Sequence, residues 1–151
     1  MRRLKAGTVL LLLILLAAGP SLAAEMNPPL SRGTVRIKGR VTVAAEIARS
    51  PQEKMRGLSH RPSLPAGRGM LFLYQRPQPI GIWMKDMKFS LDILWALDGR
   101  LVKIERKAPP LVPGGPEPVY VEFADLVLEV PAGFADRYQL RLGDPVQVIL
   151  P

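Results

Sequence analysis

The stretch that decides the fold is residues 91–106, LDILWALDGRLVKIER. Two apolar runs flank Asp98-Gly99, a dipeptide that adopts the backbone of a two-residue hairpin turn. β-Branched and aromatic residues dominate both runs, as is typical of strands. This stretch therefore predicts an antiparallel β-hairpin.

A two-residue turn also fixes which residues face each other across the hairpin. The predicted cross-strand pairs are Trp95 with Val102, Ile93 with Ile104, Leu94 with Lys103 and Asp92 with Glu105. The side that carries Trp95, Ile93, Val102 and Ile104 is apolar, so we expect it to lie in the core.

The chain before this hairpin predicts strands and one helix. Residues 35–38 and 41–47 form a second hairpin around a two-residue turn, Gly39-Arg40. Ser50, followed by proline and by Glu53, is typical of a helix start in which the serine caps free backbone amides. Further strands are predicted over 70–74 and 82–84.

The chain after the hairpin is punctuated by proline and glycine. Residues 108–118 hold five prolines and predict an irregular loop. Strands follow over 119–123 and 126–130, one or two helical turns over 132–140, and a last strand over 146–150 after Gly143-Asp144. The predicted fold class is mainly β, as a β-barrel-like or folded-over antiparallel or mixed sheet with one or two short helices.

The first 24 residues predict a secretory signal peptide. A basic start precedes an apolar run over residues 9–18, and small residues end the segment at Ala23-Ala24. The run is too short for a membrane-spanning helix. We therefore expect export to the periplasm or the extracellular space, a linker over 25–33, a single β-rich domain over 34–151, and no stable membrane insertion after cleavage; retention of the segment as an anchor is the alternative.

Composition narrows the function classes. The chain has no cysteine and one histidine, so thiolate chemistry and common zinc sites are excluded. The formal net charge is +8, of which three charges lie in the leader, and the cations are scattered rather than clustered. Nucleic-acid binding is therefore not predicted. No motif for a cofactor is present, and none is predicted.

Five motifs together resemble one family. They are MRGLSHR at 55–61, GMLF at 69–72, WMKDM at 83–87 leading to LDI at 91–93, LEV at 128–130 and RLGDPV at 141–146. Their order and spacing resemble domain of unknown function family 192, a group of uncharacterised exported and archaeal proteins. The resemblance implies a compact β-rich fold and no settled activity. Where the family usually has asparagine and threonine, this chain has Asp86 and Met87.

The first group of candidate site residues is acidic. Asp92 and Glu105 are predicted opposite each other, and Glu129 lies on a segment that can approach them. Two carboxyl groups that face each other across neighbouring strands can serve as acid and base in cleavage of a glycosidic bond. The alternative is a solvent-facing pair neutralised by Lys103 or Lys85.

The second group of candidate site residues consists of soft metal ligands. Thioether and imidazole ligands suit copper(I), and an indole ring can cover the cation. The candidate copper residues are His60, Met70, Met84 and Met87, with Trp83 as the cover. The alternative for the methionines is core packing.

The third group is a recognition surface. An aromatic ring beside a cation can stack on a sugar ring or hold an anion. The candidate ligand-binding residues are Trp83, Lys85, Asp86, Tyr74 and Arg61.

The sequence as a whole indicates a module that binds rather than an enzyme. The expected ligand is a small polar molecule or a cell-envelope glycan or other envelope polymer. Glycan cleavage by Asp92, Glu105 and Glu129, copper(I) binding, and a structural or protein-partner role are the alternatives.

Overall fold

A computed structural model describes residues 29–151, so the predicted signal peptide and residues 25–28 of the predicted linker lie outside the described residues. The elements are β1 (Ser31–Ile37), β2 (Val41–Ala48), α1 (Pro51–Arg56), β3 (Arg68–Trp83), β4 (Leu91–Leu97), β5 (Arg100–Ala108), β6 (Val119–Pro131), α2 (Phe134–Arg137) and β7 (Val146–Ile149). Strand β1 begins three residues before the predicted domain start. No helix between residues 29 and 151 has the length and apolar character needed to cross a membrane.

The strands form one mixed sheet that curls into a half-barrel. Their order is β5-β4-β6-β3-β2-β1-β7, and only β2 and β3 pair in parallel. The predicted fold class, a barrel-like or folded-over mixed sheet with two short helices, is confirmed.

A short seam joins the two edges of this sheet. The segment before β7 meets the start of β5, where the Leu101 amide donates to the Asp144 carbonyl at 3.0 Å and the Val146 amide donates to the Gly99 carbonyl at 2.8 Å. Arg100 and Pro145 form a bridge at the same place. We call this contact the closing seam.

Each face of the sheet carries its own core. The inner core fills the concave side with aliphatic side chains from all seven strands and with Phe134, Ala135 and Leu140 from the α2 region. The outer core covers the convex side of the central strands and includes Met70, Phe72, Ile93, Trp95 and Val127. Alternation along the strands sends successive side chains to opposite cores.

The distal halves of β3 and β6 fold over the outer core as a two-stranded ribbon. The pairing of the two strands shifts between Leu73 and Gln78, at a segment that contains Pro77, which has no amide to donate. Ile80 on the ribbon is buried, and its carbonyl accepts a hydrogen bond from Trp95 Nε1 at 3.1 Å. The separately predicted strands 70–74 and 82–84, and likewise 119–123 and 126–130, are therefore halves of two long bent strands.

The turn of the central hairpin has two residues, as predicted, but the predicted cross-strand pairs are wrong. Leu97 pairs with Arg100 and Ala96 with Leu101, whereas Trp95 pairs with Lys103. Val102 is therefore an extra, bulged residue, and such a bulge shifts every later pair by one. Ile93, not Asp92, faces Glu105.

The bulge also divides the predicted buried set. Trp95 and Ile93 are fully buried in the outer core, and Val102 packs against them. Ile104 packs instead against the inner core, beside its partner Leu94. The prediction that all four residues share one face is wrong for Ile104.

Three local predictions are confirmed and one needs correction. Ser50 caps α1, with the reciprocal bond from its own amide to Glu53, and β7 begins after the Gly143-Asp144 turn. The predicted loop over 108–118 is irregular except for Ala108, which is the last residue of β5. The first hairpin, however, has a three-residue connection, because Ile37 pairs with Val41. Lys38 shares the left-handed backbone with Gly39 there, at φ 54° and 69°.

Candidate functional site

A cleft lies on the outer side of the sheet, between α1 and the folded ribbon. Its volume is about 270 Å³. The sheet supplies its floor, α1 and the residues after it form one wall, and the end of the ribbon forms the other. The side chains that line it include Lys54, Arg56, Ser59, Phe72, Tyr74, Trp83, Met87 and Glu129.

Glu129 lies on the floor of this cleft. It pairs with Met70 on β3 and with Ile93 on β4, so its side chain projects between two apolar neighbours of the outer core. The residue is 5% exposed, and within residues 29–151 no side chain or backbone group makes a hydrogen bond or salt bridge to its carboxyl group. Burial raises the pKa of Glu129 to about 8, although the positive charge of Arg61 acts to lower it.

Aromatic side chains form the walls above the carboxyl group. Trp83 closes the ribbon end and is 47% exposed, so its indole is available to a ligand. Tyr74 is half-buried. Burial is the main cause that raises the pKa of its hydroxyl, and the nearby Glu129 charge raises it further. Lys54 Nζ of α1 lies 3.7 Å from the centre of the Tyr74 ring, and burial lowers the pKa of this lysine.

Two hydrogen bonds to backbone carbonyls hold the loop after α1 against the turn that follows β3. Ser59 Oγ donates to the Lys85 carbonyl at 3.1 Å, and the His60 amide donates to the Asp86 carbonyl at 2.9 Å. His60 Nε2 lies 3.8 Å from Asp86 Oδ2 on the exposed side of this junction. His60 and Asp86 both have positive φ, a backbone conformation that is uncommon outside glycine and that accompanies the close contact of the two loops.

Arg61 lies behind the floor rather than in the cleft. Its guanidinium donates twice to the Glu46 carboxylate, with both N···O distances at 2.8 Å. Such a two-bond ion pair fixes the arginine and lowers the pKa of Glu46. Arg61 therefore acts on Glu129 through its charge.

The predicted recognition residues separate into two sets. Tyr74 and Trp83 line the cleft, whereas Lys85 and Asp86 are exposed on the adjoining turn. Lys85 Nζ lies 5.4 Å from the centre of the Trp83 ring, so the aromatic-basic pair that the sequence indicated is present at the rim.

Asp92 is not in the cleft. It is fully buried and accepts hydrogen bonds from the backbone amides of Lys107, Gly133 and Ala135 at 2.8, 3.1 and 2.7 Å. It pairs with Val130, the neighbour of Glu129, so the two acids project to opposite faces of the sheet. The expected pair of Asp92 and Glu105 does not form.

Glu105 shares the face of Glu129 but not its cleft. Ile93 lies between them, paired with each, which separates the two acids by two strand spacings, about 10 Å. The three carboxyl groups that the sequence offered for glycan cleavage therefore do not meet in one place.

The candidate copper residues are distributed over different environments. Met70 and Met84 are fully buried in the outer core, Met87 lines the cleft, and His60 is exposed beside Asp86. In residues 29–151 no group of three or more histidine, aspartate or glutamate side chains is placed to hold a metal ion.

Sequence reasoning missed Lys54, Ser59 and Phe72 as cleft residues. Lys54 and Ser59 belong to α1 and its following loop, and only the folding of the ribbon brings them opposite Trp83. Ser59 belongs to the motif MRGLSHR, but the motif alone does not show which part of the fold its residues face. The resulting arrangement offers an apolar recess, a buried carboxyl group and a half-exposed indole, which is suited to selective binding of a small molecule.

Solved structures that are similar to this chain include the following two. One is a "putative transcription regulator" from Sinorhizobium meliloti 1021, with a TM-score of 0.72 and 28% identity over 80% of this chain and 95% of that one. The other is a protein of unknown function from Novosphingobium aromaticivorans DSM 12444, with a TM-score of 0.71 and 29% identity over 85% of this chain and 99% of that one. The chain matches no curated protein.

The family model that matches is DUF192, described as "Uncharacterized ACR", and it covers residues 33–148. The match includes every strand from β2 to β6 and all residues of the cleft. The chain therefore belongs to the DUF192 family.

Proposed function

We propose that this chain is an exported, non-catalytic binding module for a cell-envelope glycan or another small polar ligand, and that the cleft over Glu129 is its binding site. The observation that carries the proposal is the half-exposed Trp83 beside a recess with a buried carboxyl group that has no partner within the described chain. An indole face stacks on sugar rings, and a buried polar group with no partner gains most from a ligand that supplies one.

The geometry favours binding over glycan cleavage. Cleavage needs two carboxyl groups that flank the scissile bond, and the cleft has one. Asp92, the expected second acid, already receives three backbone hydrogen bonds on the other face of the sheet.

Export is supported by the basic, apolar and small-residue regions of the first 24 residues. To test it, the full chain is expressed with its leader in a bacterium, and the soluble envelope fraction is analysed by intact mass. Export predicts a product that starts after Ala23 or Ala24. A full-length product confined to the cytoplasm would remove the export part of the proposal.

Binding is tested by calorimetry on the purified chain with envelope glycan fragments. Trp83→Ala should weaken binding at least about tenfold, since a stacked aromatic residue at a binding site contributes more than 1 kcal/mol. Phe123→Ala is the matched control, because Phe123 is an equally exposed aromatic residue on the same ribbon that does not line the cleft. Equal loss in both variants would place the site on the ribbon face, and no binding to the unmodified chain would refute the proposal.

A further inference from the structure

The inference that follows depends on the proposed glycan binding and specifies the sugar. We infer that the cleft recognises the N-acetyl group of an acetylated amino sugar, with the Glu129 carboxyl group donating a hydrogen bond to the acetamido carbonyl oxygen. An acetamido group combines one acceptor, one donor and one methyl group, and the cleft offers a counterpart to each.

The donor is Glu129. Its cross-strand neighbours, Met70 and Ile93, are apolar and fully buried, so the strands beside it supply no hydrogen-bond partner. The carboxyl group is on the floor of the cleft, where a ligand atom that enters the recess can reach it. A buried polar group that gains a hydrogen bond discriminates strongly against a ligand that lacks the matching atom.

The acceptor is Ser59. Its hydroxyl hydrogen is used in the bond to the Lys85 carbonyl, and a hydroxyl oxygen keeps lone pairs that can accept a further hydrogen bond. Ser59 lines the same cleft as Glu129, on the wall formed by the loop after α1. It can therefore accept from the acetamido N–H while Glu129 donates to the carbonyl.

Apolar side chains and the indole accommodate the rest of the sugar. Phe72 and Met87 line the recess and can enclose the methyl group, whose transfer out of water is favourable. Trp83 lies at the exposed end, where its face can stack on the sugar ring. The cleft volume, about 270 Å³, is just below the usual range for drug-sized ligands, which begins at about 300 Å³, and so suits one sugar unit.

Protonation decides whether Glu129 can donate. The ionisable groups around it are Lys54 and Arg56 on α1, Arg61 with its partner Glu46, and Tyr74 on β3. Burial outweighs the Arg61 charge and raises the pKa of Glu129 to about 8, so its carboxyl group carries a proton at neutral pH. Above that pH the ionised carboxylate would repel the acetamido oxygen.

The test compares two oligosaccharides that differ in one substituent. The full chain, as purified, is titrated by calorimetry with a tetramer of β-1,4-linked N-acetylglucosamine and with the corresponding glucose tetramer, which has a hydroxyl in place of each acetamido group. We expect the acetylated tetramer to bind at least about tenfold more tightly at pH about 6, and to lose at least about tenfold in affinity at pH about 9.5.

Two variants separate the role of the proton from that of the fold. Glu129→Gln keeps a donor that does not titrate, so it should retain the preference for the acetylated tetramer and lose the pH dependence. Glu129→Leu should lose the preference, and thermal melting of each variant checks that it is folded. Equal affinity for both tetramers would overturn this inference and leave glycan binding intact, whereas no binding of either tetramer would overturn both.

Discussion

Asp92 Oδ2 accepts a hydrogen bond from the backbone amide of Ala135 at 2.7 Å, across 43 residues of sequence. Its other oxygen accepts from Lys107 at the end of β5 and from Gly133 before α2. One fully buried carboxylate thus fixes the start of a helix and the edge of a hairpin. The residue expected at an active site is part of the framework.

Asp92→Ala should lower the free energy of unfolding by about 3 kcal/mol or more, because it leaves three backbone amides without their acceptor. Urea denaturation of the purified variant measures this difference. Glu117→Gln, in the exposed proline-rich loop, is the control and should change stability by less than about 0.5 kcal/mol. A stable Asp92→Ala variant would contradict the structural role.

Glu129 should make stability fall as the pH rises. Its pKa is about 8 in the folded chain and 4.5 as the reference value, so between these values the folded state holds the proton that the unfolded state has released. The contribution of Glu129 to the free energy of unfolding is therefore fully present below about pH 4.5, and it is lost as the pH rises toward about 8. The limiting loss is about 5 kcal/mol, at roughly 1.4 kcal/mol per pH unit, before any relaxation of the site.

Denaturation at a series of pH values tests this prediction, with Glu129→Gln as the comparison. The free energy of unfolding of the variant should not fall in this way as the pH rises. At pH about 9, where Glu129 of the unmodified protein would be ionised in the folded state, the variant should be the more stable protein. Parallel profiles for the two proteins would show that the Glu129 pKa is not raised.

Ser50→Ala should destabilise the chain by about 1 kcal/mol. The serine oxygen accepts from the Glu53 amide at 3.2 Å, and its loss leaves that amide free at the helix start. Thermal denaturation provides the measurement, and Ser63→Ala, at an exposed loop position, is the control that should change little. Since α1 carries Lys54 to the cleft, ligand affinity should also fall in the capping variant.

Gly69→Ala should cost more than about 2 kcal/mol. A Cβ at this position would lie 2.8 Å from the Glu129 carbonyl oxygen and 2.8 Å from Val43 Cγ1, so strands must move apart. Gly39→Ala is the contrast, because nothing lies within 4 Å of its Cβ and only the left-handed backbone opposes it, at roughly 1 kcal/mol. Similar losses in both variants would mean that the sheet absorbs the extra methyl group at Gly69.

The strands could be predicted from the sequence because alternation and turn residues act locally. The pairing across β4 and β5 could not, because Val102 is a good strand former whether or not it is bulged. One extra residue there separates Asp92 from Glu105 and leaves the acid free to serve backbone amides. A shift of a single position in register therefore removes the proposed catalytic pair and leaves Asp92 with a structural role.

The cleft could be predicted only in pieces. Trp83, Tyr74, Met87 and Glu129 were candidates in three unrelated groups, since nothing in the sequence shows that the β3–β6 ribbon folds back over Trp95. The bend depends on a shift in pairing near Pro77, which brings distant segments together. Long-range contacts of this kind are decided by packing rather than by local preference.

The closing seam has a consequence for the order of events as the chain folds. Strand β1 at one end of the domain pairs with β7 at the other, and the residues just before β7 bond to the start of β5. Contacts between such distant positions form slowly, and they need the last strand to be present. The domain therefore completes its fold only after residues 146–149 have left the ribosome, so a chain whose last strand is still being synthesised cannot yet be closed.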